Sequence, residues 1–142
     1  MRRPAALPGE TFTAQRKTAT LEAMFKEALK GVVDGTDGGL AGLLMDFEGI
    51  PLEVYAKEGT PFDIEAVGAE VSVVVKAIQR ATEMLDAGTT KEVAFQSEKM
   101  VTLIRVLDQN YFLALALSPD GNFGKGRYLL RTSAPKFLEQ LV

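Results

Sequence analysis

With 142 residues, 46% apolar side chains and a formal charge of −3, the chain has the material for one folded domain; disorder and general affinity for nucleic acid are excluded. It contains neither cysteine nor histidine, which removes disulfides, thiol chemistry, the commonest general base and the commonest metal ligand. No uncharged run approaches the ~18 residues that span a bilayer, and Pro4, Pro8, Gly9 and Glu10 interrupt any signal-like start, so a cytoplasmic protein is expected.

Residues 1–17 set Arg2, Arg3, Arg16 and Lys17 against one acid, Glu10, with two prolines and little apolar periodicity. They are expected to form a flexible basic tail ahead of a domain over 18–142. A first helix is predicted over about 19–33 from Leu21, Met24, Phe25, Ala28, Leu29 and Val32, with Thr18 or Thr20 as its N-cap. Asp34-Gly35-Thr36-Asp37-Gly38-Gly39 ends it. This is no calcium loop, because its twelfth position is Met45 and not Glu. Leu40–Phe47 is apolar on both faces, as in a central strand. After a turn at Asp46–Gly49, residues 50–57 alternate between apolar Ile50, Leu52, Val54, Ala56 and polar Glu53, Lys57, which predicts a half-exposed strand. Asp46 and Glu48 read as solvated carboxylates.

A long helix is predicted over 62–87, closed by Gly88 as C-cap glycine. It carries two apolar stripes. Ile64, Val67, Val71, Val74, Val75, Ile78 and Leu85 are expected to face the core. Ala66, Ala69, Val73, Ala77, Ala81 and Met84 form a second stripe of smaller residues, and a domain of this size needs only one. The surplus stripe therefore calls for a partner.

Three strands follow at about 91–97, 100–107 and 110–118, joined by turns short enough to require antiparallel neighbours. Glu92 and Glu98 are expected near each other across the first of those turns, both solvated. A closing helix over about 122–141 contains Pro135, which should kink or divide it. Gly124-Lys125-Gly126 opens this helix but lacks the G-x-x-x-x-G-K-[ST] spacing of a nucleotide-binding loop, so a turn or packing role is expected. Arg127 and Arg131 make a basic patch on it.

The order helix, hairpin, helix, three-stranded meander, helix predicts an α+β fold: one five-stranded antiparallel sheet with helices on its faces. Leu40–Phe47 and Tyr111–Leu117 should lie side by side in the middle, leaving 50–57 and 91–97 as edges. The edge at 91–97 has no proline and can pair with another strand. Joining two such edges about a two-fold axis would also bring the second stripes together, an isologous homodimer.

The chain resembles the roadblock/dynein light chain family, with its profilin-like sandwich, and within it the bacterial regulators of small Ras-like GTPases. Leu43-Leu44-Met45-Asp46-Phe47-Glu48-Gly49-Ile50-Pro51-Leu52 is similar to the family's apolar, Asp-x-x-Gly-x-Pro-Leu hairpin. The helix over 62–87 and Asn122-Phe123-Gly124-Lys125-Gly126-Arg127 extend the resemblance, which covers about 20–142. It implies pairing through the second helix and third strand into a ten-stranded sheet, and a helix platform on which a small GTPase docks. It implies a non-enzymatic role, with no catalytic, cofactor or metal residues, that stimulates hydrolysis by the partner without an arginine finger. The dimer contacts expected are Ala66, Ala69, Val73, Ala77, Ala81, Met84, Val93 and Phe95. For the GTPase, Glu70, Lys76, Gln79, Arg80 and Glu83 are expected, together with Arg127 and Arg131. A light-chain-like scaffold without influence on nucleotide is the alternative. A small-ligand sensor ranks below both, since no convergent polar groups are visible.

Overall fold

The computed structural model describes residues 8–141. The elements are α1 (Pro8–Asp34), β1 (Gly39–Asp46), β2 (Pro51–Ala56), α2 (Ile64–Met84), β3 (Glu92–Gln96), β4 (Val101–Val106), β5 (Tyr111–Leu117) and α3 (Phe123–Leu141). The strands form one antiparallel sheet in the order β2-β1-β5-β4-β3, with β1 and β5 adjacent and β2 and β3 at the edges, as the sequence predicts.

Alternation along the central strands divides the core in two, because successive side chains leave a strand on opposite faces. Leu44, Leu103, Leu113, Leu115 and Leu117 point to one face and pack under Phe25, Leu29 and Val33 of α1 and Leu130 and Phe137 of α3. Leu43, Met45, Ile104, Phe112 and Ala114 point to the other and meet Ile64, Val71 and Val75 of α2. Phe25 and Phe137 stack at 5.8 Å between ring centres, tying α1 to α3. Helix α2 thus lies alone on its side of the sheet.

Local chemistry explains the turns. Asp46 Oδ1 accepts from the backbone N–H of Glu48 and of Ile50, and Gly49 takes φ +87° to close the hairpin. That is the physical content of the Asp-x-x-Gly motif. Asp63 caps α2 by accepting from the Glu65 N–H. Gly68 lets α2 approach β1: a Cβ there would collide with Leu43 and Met45.

Several expectations are corrected. Helix α1 begins at Pro8, so residues 8–17 belong to a helix and not to a flexible tail, while 1–7 lie outside the described residues. Proline at a first helical position forfeits no hydrogen bond, so Pro8 starts the helix where it had been read as a breaker. Core contacts among the described side chains begin only at Leu21, which is where the apolar pattern begins too. Thr20 is no N-cap; its hydroxyl donates back to the Arg16 carbonyl inside the helix. Helix α2 ends at Met84, before Gly88. The Asp86 N–H donates to the Glu83 carbonyl and the Ala87 N–H to that of Thr82, with Asp86 in the left-handed region at φ +53°. Those two bonds make a Schellman closure in which Asp86 takes the usual place of glycine. Pro135 does not divide α3, which continues through it to Leu141. Buried Ala134 and Phe137 anchor the helix on either side, and Pro135 itself faces solvent. Glu92 and Glu98 are not neighbours across a turn, for Glu92 opens β3 opposite Arg105.

Candidate functional site

Helix α2 buries one face and leaves the other bare. Ile64, Gly68, Val71, Ser72 and Val75 are buried, and Ala66, Ala69, Val73, Ala77, Ala81 and Met84 are all exposed. Val73 is 66% exposed and Met84 81%. Val74 and Leu85, assigned to the core from spacing, are instead 50% and 76% exposed and widen the bare strip. The helix is only lightly covered because no other helix shares its side of the sheet. Val74 therefore falls at the flank of the buried arc, and Leu85 lies beyond the last turn.

The bare strip has an internal order that composition alone hides. Ala66, Glu70, Val73, Ala77, Arg80 and Met84 follow one another at alternating steps of four and three, the ladder of a helix-pairing seam. Glu70 and Arg80 therefore lie within the bare strip, in line with Val73 and Ala77. Lys76, Gln79 and Glu83 lie beside the seam on the flank, Lys76 and Glu83 exposed and Gln79 half-buried.

Strand β3 pairs only with β4, and its other edge is open. Val93 and Phe95 point to the α2 side, Val93 half-buried and Phe95 38% exposed. Opposite Phe95 in register lies Thr102, whose fully buried hydroxyl has no partner among the described residues.

Arg127 and Arg131 are on the other side of the sheet. The structure does not bring them to α2, so one flat partner cannot touch both sets. Arg127 donates from Nε and Nη2 to the two carboxylate oxygens of Glu92, at 2.8 and 2.6 Å. This paired hydrogen bond to Glu92 holds the Arg127 guanidinium above its ordinary pKa. Arg131 and Lys125 lie over the Tyr128 ring at 5.8 and 5.4 Å from its centre. Between α3 and the outer strands is a hollow of about 320 Å³ lined by Glu92, Arg105, Gly124, Arg127, Tyr128 and Arg131. Arg105 Nε is sealed from solvent with no acceptor among the described residues, which costs about 1–3 kcal/mol for a buried donor. Sequence reading missed Arg105, since an arginine inside an otherwise apolar strand announces neither its face nor its neighbours. The alternation of β4 beside Glu92 was the available signal.

Among the described residues no group of three or more acids can hold a metal ion, and no helix is long and apolar enough to cross a membrane. Tyr55 packs against the α1 side while its hydroxyl donates to Asp34. Burial first, and then that hydrogen bond, push its pKa up.

No protein-family profile and no curated protein matches the chain. Solved structures do. MglC from Myxococcus xanthus is 39% identical, over 82% of this chain and 98% of that one, with a TM-score of 0.61. An MglB with a tetrameric arrangement is 19% identical, over 84% and 89%, with a TM-score of 0.77. A Roadblock/LC7 domain from Streptomyces avermitilis is 14% identical, over 82% and 96%, with a TM-score of 0.73. The last two share the fold, and the sequence kinship runs to MglC. A bare-faced helix beside an open sheet edge, in this fold and with that kinship, makes the chain a member of the roadblock/LC7 family and a relative of MglC.

Proposed function

We propose that the chain is a non-enzymatic regulatory subunit that pairs with a second copy of itself through the α2 seam and the β3 edge, and that the paired helices present a docking surface to a small Ras-like GTPase. The observation that carries the self-pairing is the symmetry of the seam. Ala66 and Met84, Ala69 and Ala81, Glu70 and Arg80, and Val73 and Ala77 are each equidistant from position 75. In an antiparallel pair whose two-fold axis passes opposite that position, every seam residue meets its counterpart. Glu70 then faces Arg80 of the second copy, twice per dimer; Ala66 faces Met84, Ala77 faces Val73, and Ala69 faces Ala81. A parallel pair would set Glu70 against itself. The open edge of β3 and Phe95 add area, and about 800 Å² per subunit suffices for a stable dimer.

The GTPase reading is supported by the family and by the polar flank Lys76, Gln79 and Glu83, which the seam leaves free. The chain contains no histidine or cysteine, and no metal-ligand cluster occurs among the described residues; in this reading its effect passes through the partner's residues. Single-turnover GTP hydrolysis by the Ras-like GTPase of the same organism, with and without this protein, tests it. The expected result is an altered rate with the protein present and no turnover by the protein alone. Unaltered hydrolysis and unaltered nucleotide release would reject the regulatory reading in favour of a scaffold, and turnover by the isolated protein would reject the non-enzymatic one.

A further inference from the structure

The hollow between α3 and the outer strands lies on the face opposite the α2 seam, and neither self-pairing nor a partner on α2 uses it. Three guanidiniums, those of Arg105, Arg127 and Arg131, line it from two elements, and one carboxylate, Glu92, is present to oppose them. Each oxygen of Glu92 accepts from the Arg127 fork, and Arg105 and Arg131 make no ion pair with a carboxylate among the described residues. Two positive charges are left unmatched in a concave site of about 320 Å³. Repulsion between them must be met by solvent or by a bound anion.

We propose that this hollow is a docking site for a phosphorylated side chain on a protein partner. Magnitude decides between anions. A phosphomonoester carries about −1.5 to −2 charges near neutral pH and three acceptor oxygens, which matches two free guanidiniums, whereas a single carboxylate leaves one cation unmatched. Arginine forks suit either group geometrically, and the excess charge selects the dianion. Arg105 gains most. Its stem is fixed by β4 directly opposite Glu92, and its Nε lacks any acceptor in the free protein. An anion held by the Arg131 and Arg105 forks supplies the missing charge, and a modest turn of the Arg105 guanidinium toward it gives Nε an acceptor. The rim is open at Gly124, where an added Cβ would meet nothing closer than Asn122 Oδ1 at 3.9 Å.

The source is a protein segment for two reasons. Anionic membranes attract clusters of roughly 4–8 basic residues on one face, and here Glu92 takes up Arg127, leaving Arg105, Lys125 and Arg131 on a chain of net charge −3. A free phosphometabolite would need the rest of its body enclosed, whereas exposed Ala94 and Gln96 continue the face of β3 that carries Glu92 and offer an extended segment room to lie.

The test uses the full chain and follows the Arg105 Nε–H signal by nitrogen–proton NMR while acetyl-phosphoserine amide is added at constant ionic strength. Acetyl-glutamate amide, inorganic phosphate and phosphoinositide-containing vesicles serve as the other arms. Expected is a saturable shift of that signal, with affinity at least about tenfold above that for the glutamate amide and reduced about tenfold by Arg131→Gln. The backbone spectrum away from the hollow should stay unchanged, which shows that the variant is folded. Should Arg131→Gln perturb the fold, Arg131→Lys, which keeps the charge but loses the fork, replaces it with the same expected weakening. No shift, or a shift indifferent to both variants, overturns the proposal. So does binding of inorganic phosphate or vesicles with no response to the phosphoserine amide, each of which would reassign the site to that other source.

Discussion

Two single positions show where backbone geometry and side-chain identity disagree or agree. Asp86 holds a left-handed conformation at the end of α2 that glycine adopts freely, and it places a negative charge at the negative end of a helix. Asp86→Gly is therefore expected to stabilise the protein by about 0.5–1 kcal/mol, read as a rise in the chemical denaturation midpoint at unchanged slope. Gly68 is the converse case. Its missing side chain is what lets α2 sit on Leu43 and Met45, so Gly68→Ala should destabilise by about 1–3 kcal/mol despite alanine's better helix propensity. A neutral or stabilising outcome in denaturation would mean that α2 is free to lift from the sheet. Neither effect was legible beforehand: Asp86 looked like a helix residue and Gly88 like its terminator, because φ is not written in residue type.

Among the elements, α2 is where the pattern speaks most. The two stripes, and the prediction that one of them faces outward, follow from spacing, whereas the exposure of Val74 and Leu85 does not. Glu70 and Arg80 fall in the outward strip, in line with Val73 and Ala77. If they meet across the two-fold axis, Glu70→Arg alone should weaken self-association about tenfold by setting like charges together, and Arg80→Glu likewise. The double exchange, Glu70→Arg with Arg80→Glu, should recover most of the loss. Sedimentation of the three variants checks this, and failure of the double variant to recover would displace the register without removing the dimer. Val73→Asp, which buries a carboxylate at the middle of the seam beside Glu70, should yield monomer by light scattering. Helix α1 teaches a different lesson. Periodicity marks the part of a helix that touches a core, and α1 continues past that part to Pro8.

For the molecule as a whole, the sheet acts as a partition. Helix α2 and the open β3 edge make the side proposed for self-pairing, while α1 and α3 with the arginine hollow lie on the other. A protein whose bare face is covered only by a second copy gains stability by mass action. Its thermal midpoint is therefore expected to rise with protein concentration, and Val73→Asp should abolish that dependence in calorimetry. A midpoint independent of concentration in the unmodified protein would count against self-pairing at this face. The separation of sides also means that Arg127 and Arg131 cannot join Lys76, Gln79 and Glu83 in a single flat contact, although all of them were grouped as partner-facing from sequence.

The sequence by itself determined the element order, the antiparallel sheet, its central and edge strands, and a helix with more apolar surface than one core needs. Each of these is a matter of local periodicity and loop length, and both are properties of neighbours along the chain. Only the tertiary structure decided which side each helix covers, that Val74 and Leu85 are bare, that Asp86 closes α2, and that Glu92, Arg105, Arg127 and Arg131 surround one hollow. Those outcomes depend on strand register and helix placement, which join residues distant in sequence. A chain read one residue after another carries the charges of that hollow without showing that they converge.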